Sequence, residues 1–286
     1  MSAISVVIPA HDEATVIERA LTALVDTHAE IVVVANGCSD RTAEIARDFD
    51  TDAVAATVRV LELEHGSKIK ALNAGSADVS AYPVAYVDAD VIVSGAVLTE
   101  IAGRMDEVGA LVAAPRMIVL PSRSWWVRQY YRVWALTDYR ASGHIGSGVY
   151  ILSSTGRARF EEFPDVIADD LYVQRLFAPH ERFTPAGLTF SVHAPGTLRA
   201  LLGRNTRIAA GNQELAVRFP ELTPPATSVG GARSLLSRVW RRPSLWAGFA
   251  VYTAVYLTAH RRAARLLRSR ASISWNRDHT TREQTT

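Results

Sequence analysis

Lysine, cysteine and long apolar runs are all scarce in this chain. Lysine occurs only at Lys68 and Lys70, although the 286 residues carry 31 Lys and Arg together, so nearly all positive charge is arginine, concentrated late. The net charge of +2 is too small to predict nucleic-acid binding, and none is expected. A single cysteine, Cys38, excludes an internal disulfide and a zinc site built from cysteines. It fits a reducing compartment. No basic leader opens the chain, since Met1-Ser2-Ala3 runs straight into a strand-like segment, and no secretory signal is expected. The apolar stretch 245–259 is about 22 Å long as a helix, shorter than the roughly 20 residues that cross a bilayer. A dinucleotide fingerprint is missing as well. Where G-x-G-x-x-G would follow the first strand, the chain has Pro9-Ala10-His11-Asp12-Glu13, which argues against hydride transfer.

What is present alternates between strand and helix. Residues 4–8 form a β-branched run that should stop at Pro9. Asp12 is placed to cap a helix from Glu13, with Val16, Ile17, Ala20, Leu21 and Leu24 on one face. A second strand is expected over 31–35. The helix after it is capped by Ser39, with Ala43, Ile45, Ala46 and Phe49 inward. Strands over 58–63 and 84–87 follow, with a helix through Ala71 and Leu72 between them. Beyond them come a possible strand over 110–117, an aromatic segment from Trp125 to Trp134, a glycine-rich loop over 143–148, a strand over 149–152 and a helix opening at Asp169-Asp170. The pattern predicts an α/β fold, a mainly parallel central sheet flanked by helices. Ligands of such sheets sit at the carboxyl ends of the strands. Pro9 to Glu13, Asn36, Lys68 and Asp88 to Asp90 all fall in loops that follow strands, so these polar residues should converge on one edge.

Asp88-Ala89-Asp90 is the most informative of these segments. Two carboxylates spaced i, i+2 at the mouth of a strand can share one hard divalent cation, and that cation can hold a diphosphate. Asp48-Phe49-Asp50 and Asp50-Thr51-Asp52 match the same bare pattern but look like a solvated helix end. The competing structural role for the strand-end pair is capping of the helix that opens near Ser94.

Taken in order, the motifs resemble those of the family-two glycosyltransferases, inverting enzymes with the GT-A fold. Ile8-Pro9-Ala10-His11-Asp12-Glu13 is similar to the family's opening strand and loop. Val34-Ala35-Asn36-Gly37-Cys38-Ser39-Asp40-Arg41-Thr42 resembles its second strand and turn. Gly66-Ser67-Lys68, followed by Ala71-Leu72-Asn73-Ala74-Gly75, resembles its third element, Asp88-Ala89-Asp90 its metal motif, and Asp169-Asp170 its Glu-Asp pair. Two departures stand out. Asn36 replaces an aspartate that many members use on the base. The stretch Arg204-Asn205-Thr206-Arg207-Ile208 lacks the Gln and Trp of the processive Q-x-x-R-W motif.

The resemblance implies a GT-A nucleotide-diphospho-sugar transferase that moves one sugar, with Mg²⁺ or Mn²⁺, from a nucleotide sugar, a UDP-sugar by preference. Asp90 is then the direct metal ligand, with Asp88 and His193 beside it. Pro9, Ala10, His11, Glu13, Asn36, Lys68, Asp88, Ala89, Arg204 and Arg207 bind the donor. Asp170 is the catalytic base and Asp169 its neighbour; their structural alternative is an acidic first turn that complements a helix dipole. Two other functions remain open: a nucleotide-sugar-binding protein without catalysis, and a nucleotidyltransferase on a related sheet.

The expected organisation is a donor-binding half over 1–110 and an acceptor-binding half over 111–230 of one catalytic domain. A basic amphipathic tail over 231–286 follows, disordered from about Asn276. Arginines flank 245–259 on both sides, and Trp246, Tyr252 and Tyr256 lie within it. This suits an anionic membrane surface, although a helix packed on the domain reads the same way. The acceptor is then a lipid-linked or cell-surface glycan, and the location cytoplasmic, peripheral on the inner face of the membrane. Removal of everything after about Gly231 should leave a folded domain.

Overall fold

The computed structural model describes residues 4–25, 29–49, 56–137, 146–223 and 230–269. Contacts divide the chain into two units, a grouping different from the split at 110 and 230. The first comprises Met1–Ile118, Ile145–Asp165 and Asp169–Val192; the second comprises Val119–His144, Val166–Ala168 and His193–Thr286.

In chain order the elements are β1 (Ile4–Ala10), α1 (Ile17–Leu24), β2 (Ala29–Asn36), α2 (Thr42–Arg47), β3 (Thr57–Leu63), α3 (Lys68–Asp78), β4 (Val84–Val87), α4 (Gly95–Val108), β5 (Val112–Ala113), β6 (Arg116–Leu120) and α5 (Trp125–Trp134). They continue with β7 (Val149–Leu152), α6 (Ser154–Arg157), α7 (Asp169–Leu176), β8 (Arg182–Phe183), β9 (Thr189–His193), α8 (Leu198–Arg218), α9 (Gly230–Trp240) and α10 (Trp246–Arg268).

The first unit is built on a seven-stranded sheet in the order β3-β2-β1-β4-β7-β5-β8. β3, β2, β1 and β4 run parallel, and β7 is antiparallel to both β4 and β5. β1, β4 and β7 are buried along their whole length, as apolar strands covered on both faces should be. β1 continues past the expected stop at Pro9. Its register with β4 ends at Val7, while its pairing with β2 runs on to Ala10, so the N–H that proline lacks falls where β4 offers no partner.

Two residues of the Ala71-Leu72-Asn73-Ala74-Gly75 motif have clear structural roles. A Cβ at Gly75 would lie 2.4 Å from Cγ1 of Val7, so only glycine lets α3 close on β1. The Asn73 amide clasps Phe163, donating to its carbonyl at 3.2 Å and accepting its N–H at 2.8 Å.

Both of the first two expected caps are corrected. α1 begins at Ile17 rather than near Glu13, and no side chain caps it. The Asp12 carboxylate instead accepts N–H bonds from Ser39 at 2.5 Å and Asp40 at 3.3 Å. At α2 the N-cap position is Arg41, with no side-chain cap; Asp40 accepts the Thr42 N–H at 3.0 Å, and Ser39 is turned toward Asp12. The single strand expected over 110–117 is two, β5 and β6. Of the glycine loop, 143–145 lie outside the described residues, as do Pro224-Pro225 of the linker and the end from Asn276.

In the second unit α10 packs along α8 and α5. Val255 joins Val127, Tyr130, Ala194 and Leu201 in one apolar cluster. A Cβ at Gly248 would lie 2.7 Å from the Gln129 carbonyl oxygen, so α10 approaches the α5 backbone closely. A cut at Gly231 would therefore remove α10, which supplies one wall of this core. No helix among the described residues is long and apolar enough to cross a membrane.

Candidate active site

The site of the first unit grows from the carboxyl end of β4. Asp88 leaves the strand, and its N–H is taken by the Gly148 carbonyl oxygen at 2.8 Å. Ala89 is buried beneath the turn and Asp90 is exposed at its tip. Neither aspartate caps α4. Ser94 does so, accepting the Val97 N–H at 3.3 Å, and the capping role for the pair is thereby removed.

Lys68 is the first residue of α3, and its ammonium bridges two carboxylates. Nζ lies 2.9 Å from Asp88 Oδ1 and 3.0 Å from Asp169 Oδ1. A cation at a helix N-terminus opposes the helix dipole, so the carboxylates are what hold it there. Their field pushes the Lys68 ammonium well above the usual lysine range, although burial alone would lower it. Asp169 is 3% exposed. Burial raises its pKa to about 6, against the pull of Lys68 and with the push of Asp170 and Asp88. Burial raises Asp88 in the same direction. The Tyr150 hydroxyl, on β7, is 3.4 Å from Asp169 Oδ2 and completes this buried group.

Asp170 is held by backbone N–H groups. Its Oδ2 accepts the Ser147 N–H at 2.8 Å and its Oδ1 the Leu171 N–H at 2.7 Å. Both glycines flanking Ser147 are required. Gly146 has φ +108°, and a Cβ there would lie 2.7 Å from Asp170 Cβ. Gly148 has φ +99°, and a Cβ there would lie 3.2 Å from Asp88 Oδ2. The loop thus touches both carboxylates through backbone that only glycine allows.

Other expected donor residues form the floor between β1 and β2. Asn36 is fully buried, and its amide ties loops together: Nδ2 donates to the Ala10 carbonyl at 2.7 Å, and Oδ1 accepts the Ser67 N–H at 2.8 Å. His11 Nδ1 is 2.7 Å from the Asn36 carbonyl oxygen. Buried Glu13 donates its N–H to Thr42 Oγ1 at 2.7 Å, and Pro9 pairs with Val34. Lys68, expected at the nucleotide, lies against Asp88 and Asp169, and the Asn36 amide is engaged within the protein. His193 ends β9, and Arg204 and Arg207 stand a turn apart on α8; all three belong to the second unit.

Sequence reasoning marked the glycine loop without giving it a role, and it missed Tyr150 and Arg19. Arg19, on α1, is half-buried and feels the Asp90 carboxylate, while burial lowers its pKa. No sequence signal marked Arg19, which falls off the apolar face of Ile17, Ala20, Leu21 and Leu24.

The profile of the family described as Glycosyl transferase family 2 matches residues 5–163. The chain belongs to that family. Its α/β sheet is that of the GT-A enzymes. A relative in Bacillus subtilis (strain 168), described as "Probable glycosyltransferase YdaM", is 26% identical over 238 residues, 76% of this chain and 56% of the relative. The chain thus spans little more than half the length of that relative. Among solved structures, a mannosyltransferase from Pyrobaculum calidifontis in complex with GDP-Man and Mn²⁺ is similar, with TM-score 0.58 and 19% identity over 96% of this chain and 81% of that one. TarS 1–349 of S. aureus in complex with UDP has TM-score 0.52 and 14% identity over 98% and 95%. The glucosyl-3-phosphoglycerate synthase of Mycobacterium tuberculosis, with Mn²⁺ and UDP, has TM-score 0.50 and 20% identity over 73% and 78%. At these identities the structures speak to the fold.

Proposed function

We propose that the chain moves one sugar from a nucleotide sugar, a UDP-sugar, to a hydroxyl of a lipid-linked or cell-surface glycan, with inversion and with a divalent metal. The observation that carries this reading is the group of Asp88, Asp90, Asp169 and Asp170 at one edge of the sheet, where Lys68 engages Asp88 and Asp169 and leaves Asp90 exposed at the turn tip. Asp90 and Asp88 would hold the metal, since oxygen donors of this kind suit Mg²⁺ or Mn²⁺. Bound there, the metal supplies neutralising charge for a diphosphate leaving group.

In this reading Asp170 takes the acceptor proton. Two backbone N–H bonds fix its carboxylate, so its orientation does not depend on a mobile side chain. Lys68 and Asp169 set the charge beneath the donor, and Asn36, Ala10 and His11 shape the floor on which a base could rest. The uridine preference follows similar folds that hold UDP, and GDP-mannose in another is the competing donor. An anionic membrane surface is the partner proposed for the second unit. Trp240, Trp246, Tyr256 and Leu257 are exposed on helices that also carry Arg238, Arg261, Arg262 and Arg265. The location is then the inner face of the membrane.

A donor screen tests the reading: release of nucleoside diphosphate from UDP- and GDP-sugars, with and without Mn²⁺, and NMR of the product anomer. Metal-dependent UDP release with an inverted product supports it. Release from GDP-mannose alone reassigns the base. No release from any nucleotide sugar with either metal overturns it in favour of a binding protein without catalysis.

A further inference from the structure

A second group of metal-ligating side chains lies where the loops after β1 and β2 meet. One ligand atom each from His11, Asp12 and Cys38 lies within 4.8 Å of the other two, the only such mixed group of three among the described residues. All three are half-buried. The donor set differs in kind from Asp88 and Asp90, since it combines imidazole, carboxylate and thiol. Such a set favours a borderline-soft cation of the zinc class over Mg²⁺.

The surroundings orient each member. His11 Nδ1 meets the Asn36 carbonyl oxygen at 2.7 Å, the kind of outer contact that fixes ligating histidines. Asp12 sits at φ +50°, a backbone region uncommon for a residue with a side chain, and backbone N–H groups of Ser39 and Asp40 hold its carboxylate. Cys38 Sγ accepts the Asp12 N–H at 3.4 Å. Burial raises the thiol pKa, and the carboxylates of Asp40 and Asp12 raise it further. That negative surround disfavours a bare thiolate and favours a cation beside it. A Cβ at Gly66 would lie 3.0 Å from His11 Cε1, so glycine there gives the ring its place.

We infer that His11, Asp12 and Cys38 together bind one zinc-class divalent cation, at a site separate from the Asp88–Asp90 carboxylates. On binding, the Cys38 S–H bond breaks, its proton passes to solvent, and a sulfur–metal bond forms, with no change of oxidation state. His11 is also among the residues proposed for the donor, but the cation site stands without that reading.

The test titrates Co²⁺, then Zn²⁺, into the full chain without nucleotide. Cys38 is the only cysteine, so a thiolate-to-cobalt charge-transfer band reports this site alone. The expected result is a band that saturates at one equivalent and is displaced by Zn²⁺. His11→Gln and Asp12→Asn both keep the thiol, and each should raise the cobalt midpoint at least about tenfold. Asp90→Ala should leave it unchanged. Absence of the band in the parent overturns the inference. So does a midpoint in both His11→Gln and Asp12→Asn equal to that of the parent. Two variants guard against one that misfolds, and circular dichroism of each checks the fold.

Discussion

Lys68 and Asp169 form a 3.0 Å ion pair between the first residues of two helices, α3 and α7. Each helix start carries positive partial charge, and the ammonium adds a full unit to one of them. Asp169 offsets both, and Asp88 shares the load from the end of β4 at 2.9 Å. One lysine thus joins a strand end, a helix start and a second helix start.

Loss of that ammonium should be costly. Lys68→Met leaves Asp88 and buried Asp169 facing each other without a cation. Breaking a buried pair costs about 3–5 kcal/mol. The Lys68 side chain is 23% exposed, so the lower end applies. Urea denaturation at neutral pH should show this loss, and Asp169→Asn added to Lys68→Met should recover part of it. An unchanged unfolding midpoint in Lys68→Met would show that the ion pair contributes nothing.

The pH dependence follows from Asp169. Its folded pKa of about 6 stands above the ordinary carboxylate value, with burial as the first cause. Between those two values the folded state holds the proton more tightly than the unfolded state. Ionisation of Asp169 therefore lowers stability as pH rises, and the loss is complete once pH exceeds about 6. Function runs the other way. Protonation takes one partner from Lys68, so kcat/KM should fall on the acid side, with a limb near pH 6. In Asp169→Asn the limb should vanish and leave a low, flat profile. A limb that persists unchanged in that variant assigns it to another group.

Much of this site was legible because chain direction and strand ends carry information without side-chain detail. The run of Val84 to Val87 ended by Asp88 marks a strand mouth, and the strand is found there. Pairings across distant loops were not legible. Asp12 reads as a helix cap because aspartate before an apolar run usually is one. Its carboxylate serves Ser39, 27 residues away, instead. Lys68 reads as a loop lysine, since nothing local reveals that Asp169 will arrive beneath it. The tail is ambiguous for a related reason: arginines around an apolar stretch fit a membrane surface and a packed helix equally well. The Gly248 approach to Gln129, which packs one face of α10 against α5 and leaves Tyr256 and Leu257 exposed, is a long-range contact.

Asp90 and Asp170 should separate binding from chemistry. Asp90→Ala, at an exposed turn tip, should leave the fold intact and abolish the metal-dependent part of UDP affinity in a calorimetric titration. Asp170→Asn removes the basic carboxylate and keeps one oxygen that can accept a backbone N–H, while its NH2 gives up the other bond; neither bond is to the donor, so donor affinity should stay near that of the parent. Turnover should drop by about 10²–10⁴-fold, the range typical of general-base loss. The reverse pattern, lost affinity in Asp170→Asn with turnover kept in Asp90→Ala, would exchange the two roles.

The second unit offers a prediction in which stability and surface binding part company. Trp240 is 70% exposed and Trp246 53%, with ring centroids 6.3 Å apart. Exposed tryptophans contribute little to a core, yet they suit the headgroup region of a bilayer. Trp240→Ser with Trp246→Ser should therefore leave the unfolding midpoint within about 0.5 kcal/mol of the parent. The same change should sharply reduce cosedimentation with vesicles containing phosphatidylserine. High salt should weaken the parent's binding too, because arginines near such a surface contribute on the order of 1 kcal/mol each and are screened. Val255→Ala should do the opposite. It opens a cavity against Val127 and Leu201 and should lower stability while vesicle binding of the folded fraction persists. If the tryptophan variant sediments like the parent, the exposed face is not the membrane contact, and the lipid-linked acceptor loses its support.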